Sequence, residues 1–170
     1  AIAIGSNAGL TGQYYGTIAI GTNAAKYTQQ AGGIAIGVSA AALNQGQNAS
    51  AIGFMAGYHY QGTGSMALGY MAGYESQGTY AIAIGFNSGY STQGPQALAI
   101  GYQAGYINQN TAAVALGYQS AYYTQGVNAL AIGYQSGYQS QASNAVAIGY
   151  QSGFNQGMSS ISIGYQSAYT

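Results

Sequence analysis

A short tripeptide, Ala-Ile-Gly or its variant Ala-Leu-Gly, recurs along the chain at a fixed interval of sixteen residues. An eleventh copy, Ser162-Ile163-Gly164, follows the tenth after fifteen residues, and the missing residue falls between Phe154 and Gln156. A strict repeat of this length indicates a protein built from stacked units of one kind. The ten regularly spaced copies end at Gly5, Gly21, Gly37, Gly53, Gly69, Gly85, Gly101, Gly117, Gly133 and Gly149.

Each repeat opens with a segment in which branched aliphatic residues alternate with alanine. Ile82 and Ile84 fall on one side of such a segment, as do Leu98 and Ile100 in the next repeat. An alternation of period two with branched aliphatics predicts a β-strand. The corner glycine and a later Gln-Gly pair supply turns, because glycine tolerates the backbone conformations that tight corners require.

A single repeat cannot fold by itself. About four sizeable side chains per repeat would contribute roughly 1.5–3 kcal/mol each, against a backbone ordering cost of roughly 1–2 kcal/mol for every residue. Stacking offsets this cost because each repeat then hydrogen-bonds to its neighbours. The sequence therefore predicts an all-β fold, a parallel β-solenoid or β-roll of ten to eleven sixteen-residue coils. Residues 1–170 are expected to form one repetitive segment of a longer fibre, roughly 48 Å long at about 4.8 Å per coil.

The nearly uncharged composition excludes several classes of function. Lys26 and Glu75 are the two charged residues of the 170, so the clustered basic side chains that bind nucleic acid are missing. The chain has no Cys, no Asp, one Glu and one His. It therefore cannot supply a thiolate site, a carboxylate pair or a Ser-His-Asp triad, and we expect no enzyme activity, cofactor or metal. The chain contains no run of the roughly 18 consecutive apolar residues that a membrane-spanning helix requires.

His59 and Glu75 occupy the same turn position one coil apart. They could form an ion pair or contribute to a weak metal site. Because two ligands do not make a metal site, we interpret them as solvated turn residues.

The alternation also suggests a core and an outer face. If the larger aliphatics point inward, Ile84, Ile100, Ile132 and Ile148 form a buried ladder. The intervening alanines then point outward as a flat strip of small side chains, and a strip of that size predicts self-association with another copy. An ice-facing surface or simple solvent exposure are the alternatives. The strip comprises Ala83, Ala99, Ala115, Ala131 and Ala147.

Two aromatic columns and one glutamine column run along the predicted rod. Stacked rings stabilise such a rod by roughly 0.5–1.5 kcal/mol per pair, and glycan stacking is the alternative role. The glutamine column, from Gln13 to Gln156, is interpreted as a hydrogen-bonded amide ladder at a turn. The first aromatic column holds Phe54, Tyr70, Phe86, Tyr102, Tyr118, Tyr134, Tyr150 and Tyr165; the second holds Tyr58, Tyr74, Tyr90, Tyr106, Tyr122, Tyr138, Phe154 and Tyr169.

The repeats resemble a known family. Ala-Ile-Ala-Ile-Gly (81–85), Ala-Leu-Ala-Ile-Gly (97–101 and 129–133) and Ala-Val-Ala-Ile-Gly (145–149) are similar to the YadA-like head repeat of trimeric autotransporter adhesins, and to repeats of viral and phage surface fibres. The resemblance implies a left-handed parallel β-roll, usually trimeric, on a surface appendage. The coils here are longer than the usual adhesin head repeat, carry tyrosine columns and almost lack charge.

These observations lead to a structural hypothesis and an alternative. The first is a non-enzymatic structural or adhesive solenoid that forms a self-associating fibre. The fibre would be extracellular, part of a cell-surface appendage or located on a virion surface. Its partners would be further copies of itself, with a host surface or glycan as a further partner, and neither nucleic acid nor membrane insertion is expected. The alternative is an ice-binding solenoid. Regular threonine columns would favour ice binding, but the column of small residues two positions before the alanines of the strip, on the same side of the strand, contains a single threonine, Thr17.

Overall fold

The computed structural model describes residues 1–168, which form a parallel β-solenoid of stacked coils. The predicted fold class is confirmed. No helix occurs in residues 1–168, and hence none that could cross a membrane. The strands are β1 (Ile2–Ile4), β2 (Ile18–Ile20), β3 (Ile34–Ile36), β4 (Asn44–Gln45), β5 (Ser50–Ile52), β6 (Tyr60–Gln61), β7 (Met66–Leu68), β8 (Ser76–Gln77), β9 (Ile82–Ile84), β10 (Thr92–Gln93), β11 (Leu98–Ile100), β12 (Val114–Leu116), β13 (Thr124–Gln125), β14 (Leu130–Ile132), β15 (Ser140–Gln141), β16 (Val146–Ile148), β17 (Asn155–Gln156) and β18 (Ile161–Ile163).

The strands form one long sheet and two short ones. The long sheet has eleven parallel strands, in the order β1-β2-β3-β5-β7-β9-β11-β12-β14-β16-β18. Strands β4, β6, β8 and β10 form a four-stranded sheet, and β13, β15 and β17 form a three-stranded one. Isolated bridges at Gln109 connect the two short sheets, so we describe them together as the short-strand side of the coil. Pairing always joins equivalent residues of successive coils, as in Ala83 opposite Ala99, and identical positions therefore stack in columns.

The interior of the solenoid holds small side chains. Ala83, Ala99, Ala115, Ala131 and Ala147 are fully buried. The column two residues earlier is buried as well from Thr17 to Ala145. The prediction that these alanines form an outward self-association face is therefore wrong, and the outer face assumed for ice binding does not exist.

The predicted isoleucine core is wrong for the same reason. Each of its members alternates with a buried alanine and lies on the outer face of the long sheet, only partly buried. The strand pattern is as expected, but its orientation is reversed. The four residues are Ile84, Ile100, Ile132 and Ile148.

Buried glutamines explain why alanine faces inward. Gln109, on the short-strand side, donates from Nε2 to the backbone oxygen of Leu98 at 2.8 Å and of Ala113 at 3.1 Å. One side chain thus bridges the interior from the short-strand side to the long sheet. The remaining space accommodates methyl groups, and a larger aliphatic would overpack it.

The corner glycines allow consecutive coils to approach closely. Gly101 has a φ of 132°, and a Cβ at this position would collide with the backbone oxygen of Gly117 in the next coil. Glycine is therefore required at this corner both by its φ and by the packing of the coils. The fifteen-residue coil near the end keeps the same stacking, because Gln141 Nε2 still donates to Gln156 Oε1 at 3.1 Å.

Candidate functional site

The outward side chains of the eleven-stranded long sheet form a regular surface, which we call the aliphatic face. In the middle of the rod these side chains cover one another, so that Ile52 and Leu68 are 39% and 40% exposed. Ser50 replaces an aliphatic residue in one coil, and no charged residue lies in either column. The columns consist of Ile2, Ile18, Ile34, Met66, Ile82, Leu98, Val114, Leu130, Val146 and Ile161, and of Ile4, Ile20, Ile36, Ile52, Leu68, Ile84, Ile100, Leu116, Ile132, Ile148 and Ile163.

The first aromatic column is a continuous stack of rings, here called the outer aromatic ladder. From Phe54 to Tyr165, successive ring centroids lie 4.9 to 5.2 Å apart and the ring planes differ by no more than 14°. Within the ladder each ring has a neighbouring ring on both faces, and the two end rings, Phe54 and Tyr165, have one on a single face. Sugars stack on ring faces, so this geometry favours the structural role over glycan stacking. Tyr102, Tyr118, Tyr134 and Tyr150 occupy consecutive positions in this ladder.

The second aromatic column is the inner aromatic ladder, and its rings are half-buried. Stacked centroids lie 4.9 to 5.9 Å apart from Tyr58 to Phe154, with Tyr106, Tyr122 and Tyr138 in consecutive coils. Tyr169, assigned to the same column, lies outside the described residues. Burial is the main cause that raises the pKa in this ladder, and neighbouring tyrosines add to it. The affected phenols are those of Tyr74, Tyr90, Tyr122 and Tyr138.

Two amide ladders run parallel to the aromatic ones. The inner ladder is buried, and Gln109 Nε2 donates to Gln125 Oε1 at 3.1 Å in addition to its two backbone bonds. Hydrogen bonding along this column was predicted from the sequence. The position of the glutamine side chains across the interior was not. A second, outer amide ladder was missed, in which Gln119 Nε2 donates to Gln103 Oε1 at 2.9 Å. Its signal was a glutamine two residues after the corner glycine in five successive coils.

His59 and Glu75 are not joined in an ion pair. The His59 ring packs edge-on against Tyr58 and Tyr74, with centroids 4.8 and 5.5 Å apart. Glu75 Oε2 accepts a hydrogen bond from Ser91 Oγ at 3.0 Å. Residues 1–168 contain no group of three or more His, Cys, Asp or Glu side chains that could hold a metal ion.

Stacked coils with a long apolar face and ring ladders define a repetitive β-solenoid that presents extended surfaces. Residues 125–152 match the YadA head domain repeat in two copies, which confirms the resemblance of the Ala-Ile-Gly coils. The repeat and the fold together are features of adhesin-like structural proteins. No curated protein and no solved structure matches the chain.

Proposed function

We propose that the chain is a non-enzymatic structural or adhesive solenoid that self-associates through its aliphatic face into an extracellular or virion-surface fibre. The observation that supports the proposal is the aliphatic face itself. Eleven parallel strands present two outward columns of branched or long aliphatic side chains, with Ser50 as the one exception and without a charge. At about 4.8 Å per coil the face is roughly 50 Å long. A continuous apolar surface of this extent is among the largest that soluble monomers expose, and patches of that size are often interaction sites.

A second copy of the same chain is the partner that suits this face best. Every copy has the same rise per coil, so the aliphatic columns of two rods keep a constant spacing along their whole length. The face offers no charge with which to recognise a charged partner. At about 50 Å by 10 Å, its outline is of the same order as the roughly 800 Å² per partner that a specific interface buries.

The surface location is supported by the repeat match. The YadA head domain repeat, found here at residues 125–152, is a repeat of surface-exposed adhesins. The near absence of charge adds to this support, because a net charge of zero promotes association of folded molecules.

The experiment compares two double variants that differ in the face they charge. Ile100→Lys with Leu116→Lys charges the aliphatic face, and Thr92→Lys with Asn108→Lys charges exposed positions on the short-strand side. We expect the wild type and the Thr92/Asn108 variant to sediment as oligomers at micromolar concentration. The Ile100/Leu116 variant should sediment as a folded monomer with an unchanged circular dichroism spectrum.

Two results would contradict the proposal. One is a wild type that sediments as a monomer at every concentration tested. The other is an Ile100/Leu116 variant that assembles as well as the Thr92/Asn108 control.

A further inference from the structure

A depression of about 270 Å³ lies on the short-strand side of the coil. Its outward-facing lining includes Thr28, Gln30, Asn44 and Tyr60, and its floor includes Gly46 and Gly62, which have no side chains. A Cβ at Gly62 would lie 2.6 Å from the backbone carbon of Gly78, so the close approach of the next coil leaves no room for a side chain at this position. Ligand pockets usually range from about 300 to 1,000 Å³, and this depression lies just below that range, which limits its ligand to a small molecule or one unit of a larger one.

Tyr60 differs from the tyrosines of both ladders. It replaces a small polar residue in a column where Asn44 precedes it and Ser76 follows it, and it is 60% exposed. Among residues 1–168 no other ring stacks on Tyr60, whereas the ladder rings cover one another. Its ring face is therefore open to a ligand.

The polar groups beside Tyr60 are unengaged. Within the described chain, no side-chain hydrogen bond is made by Thr28, Gln30, Asn44 or Tyr60. Together they offer one alkyl hydroxyl, two primary amides and a phenol, all uncharged. Open aromatic surface beside amide and hydroxyl groups complements a molecule whose C–H faces alternate with hydroxyls.

We propose that this depression binds a neutral sugar unit, which stacks on the ring of Tyr60 and exchanges hydrogen bonds with Gln30 and Asn44. The ligand class is a mono- or disaccharide segment of an uncharged glycan, because the lining carries no charged side chain. The site differs from the aromatic ladders, whose ring faces are covered. It also lies across the coil from the aliphatic face, so it stays accessible whether or not the rods associate.

The test uses saturation-transfer NMR and titration of the whole chain with maltose, cellobiose, lactose and methyl α-mannoside. Tyr60→Asn removes the ring and keeps the fold, because asparagine occupies the same column at Asn44 and Asn108. Tyr80→Asn is the matched control. Tyr80 is 61% exposed and its ring lies over Gly64, and its column contains Asn128 and Asn144 with the same positive φ.

We expect at least one sugar to bind the wild type and the Tyr80→Asn variant equally, with about tenfold weaker binding to Tyr60→Asn. Gln30→Ala should weaken binding as well, without altering the circular dichroism spectrum. Absence of binding by all four sugars would overturn the proposal. So would equal loss in both tyrosine variants, no loss in Tyr60→Asn, or binding of a polyproline peptide in place of the sugars.

Discussion

Side-chain size determines which residues lie in the interior of this solenoid and which lie on its outside. The interior accepts methyl groups, hydroxyls and one glutamine per coil, as Ala99, Ser120 and Gln109 show. Each buried amide donates to backbone oxygens of the long sheet, so the interior is polar as well as narrow. Large aliphatic and aromatic side chains lie outside, where only their stacked neighbours cover them.

The first prediction concerns the side of the strand that faces inward. Ala99→Leu should lower the free energy of unfolding by roughly 1–3 kcal/mol or more, because the interior has no room for the added carbons. Ile100→Thr, on the outer side of the same strand, should cost less than about 1 kcal/mol. Urea denaturation followed by circular dichroism measures both. The reverse ranking would mean that isoleucine faces the interior.

Strands, corners and ladders are held together by contacts between successive coils. The corner glycines place the backbone of one coil against that of the next, as at Gly101 and Gly117. The aromatic ladders continue this contact on the outside, with stacked rings such as Tyr118 and Tyr134 at 5.0 Å. An element that lost its neighbours would therefore lose most of its stabilising interactions.

The second prediction compares two glycines of one coil. Gly101→Ala should cost at least about 3 kcal/mol, because its Cβ would meet the backbone of Gly117 and its φ is strained for alanine. Gly105→Ala should be tolerated far better. Its φ of 55° is close to the 48° of Ala121, which fills the equivalent position. Thermal unfolding of the two variants tests the difference, and equal midpoints would refute the role assigned to the corner.

The third prediction concerns the inner aromatic ladder at high pH. Burial raises the pKa of Tyr74, Tyr90, Tyr122 and Tyr138 above the ordinary value of 10.0. The unfolded chain then releases these phenol protons at a lower pH than the folded chain does. The associated stability is complete below about pH 10 and is lost as the pH rises through the folded pKa values.

Replacing the four tyrosines by phenylalanine should reduce this alkaline loss of stability. Phe154 already occupies the same ladder, so the stack accepts phenylalanine. Unfolding midpoints measured between about pH 8 and pH 11 should fall more steeply for the wild type than for the fourfold variant. Parallel curves would show that this ladder does not carry the pH dependence.

The whole molecule is a rod with two chemically different sides. The long sheet presents the aliphatic face, and the short-strand side presents small polar residues and the depression at Tyr60. With one lysine and one glutamate in 170 residues, neither side carries a cluster of charged side chains. Together, the two sides therefore offer a partner apolar contact and neutral hydrogen-bonding groups.

The fourth prediction follows from the missing charges. Sodium chloride raised from about 0.05 to 0.5 M should leave the proposed self-association unchanged or strengthen it, because almost no charge pairs are available for salt to screen. Sulfate should strengthen it further by favouring burial of apolar surface. Sedimentation at each salt concentration gives the measurement. A marked weakening by chloride would point to Lys26 and Glu75 as interface residues instead.

The repeat itself determined the solenoid. Residues spaced by sixteen that pair in register must lie above one another, so the parallel stack and the aromatic ladders from Phe54 and Tyr58 onward could be predicted from spacing alone. The glutamine column followed for the same reason.

The tertiary structure decided which side of each strand faces inward. An alternation of period two is unchanged when inside and outside are exchanged, so Ala99 and Ile100 are equally compatible with either side until the width of the interior is known. That width is set by Gln109 and its equivalents, which bridge the interior from the short-strand side to the carbonyls of the long sheet. The open ring of Tyr60 could not be predicted either, because the depression around it is formed by four coils that pack together.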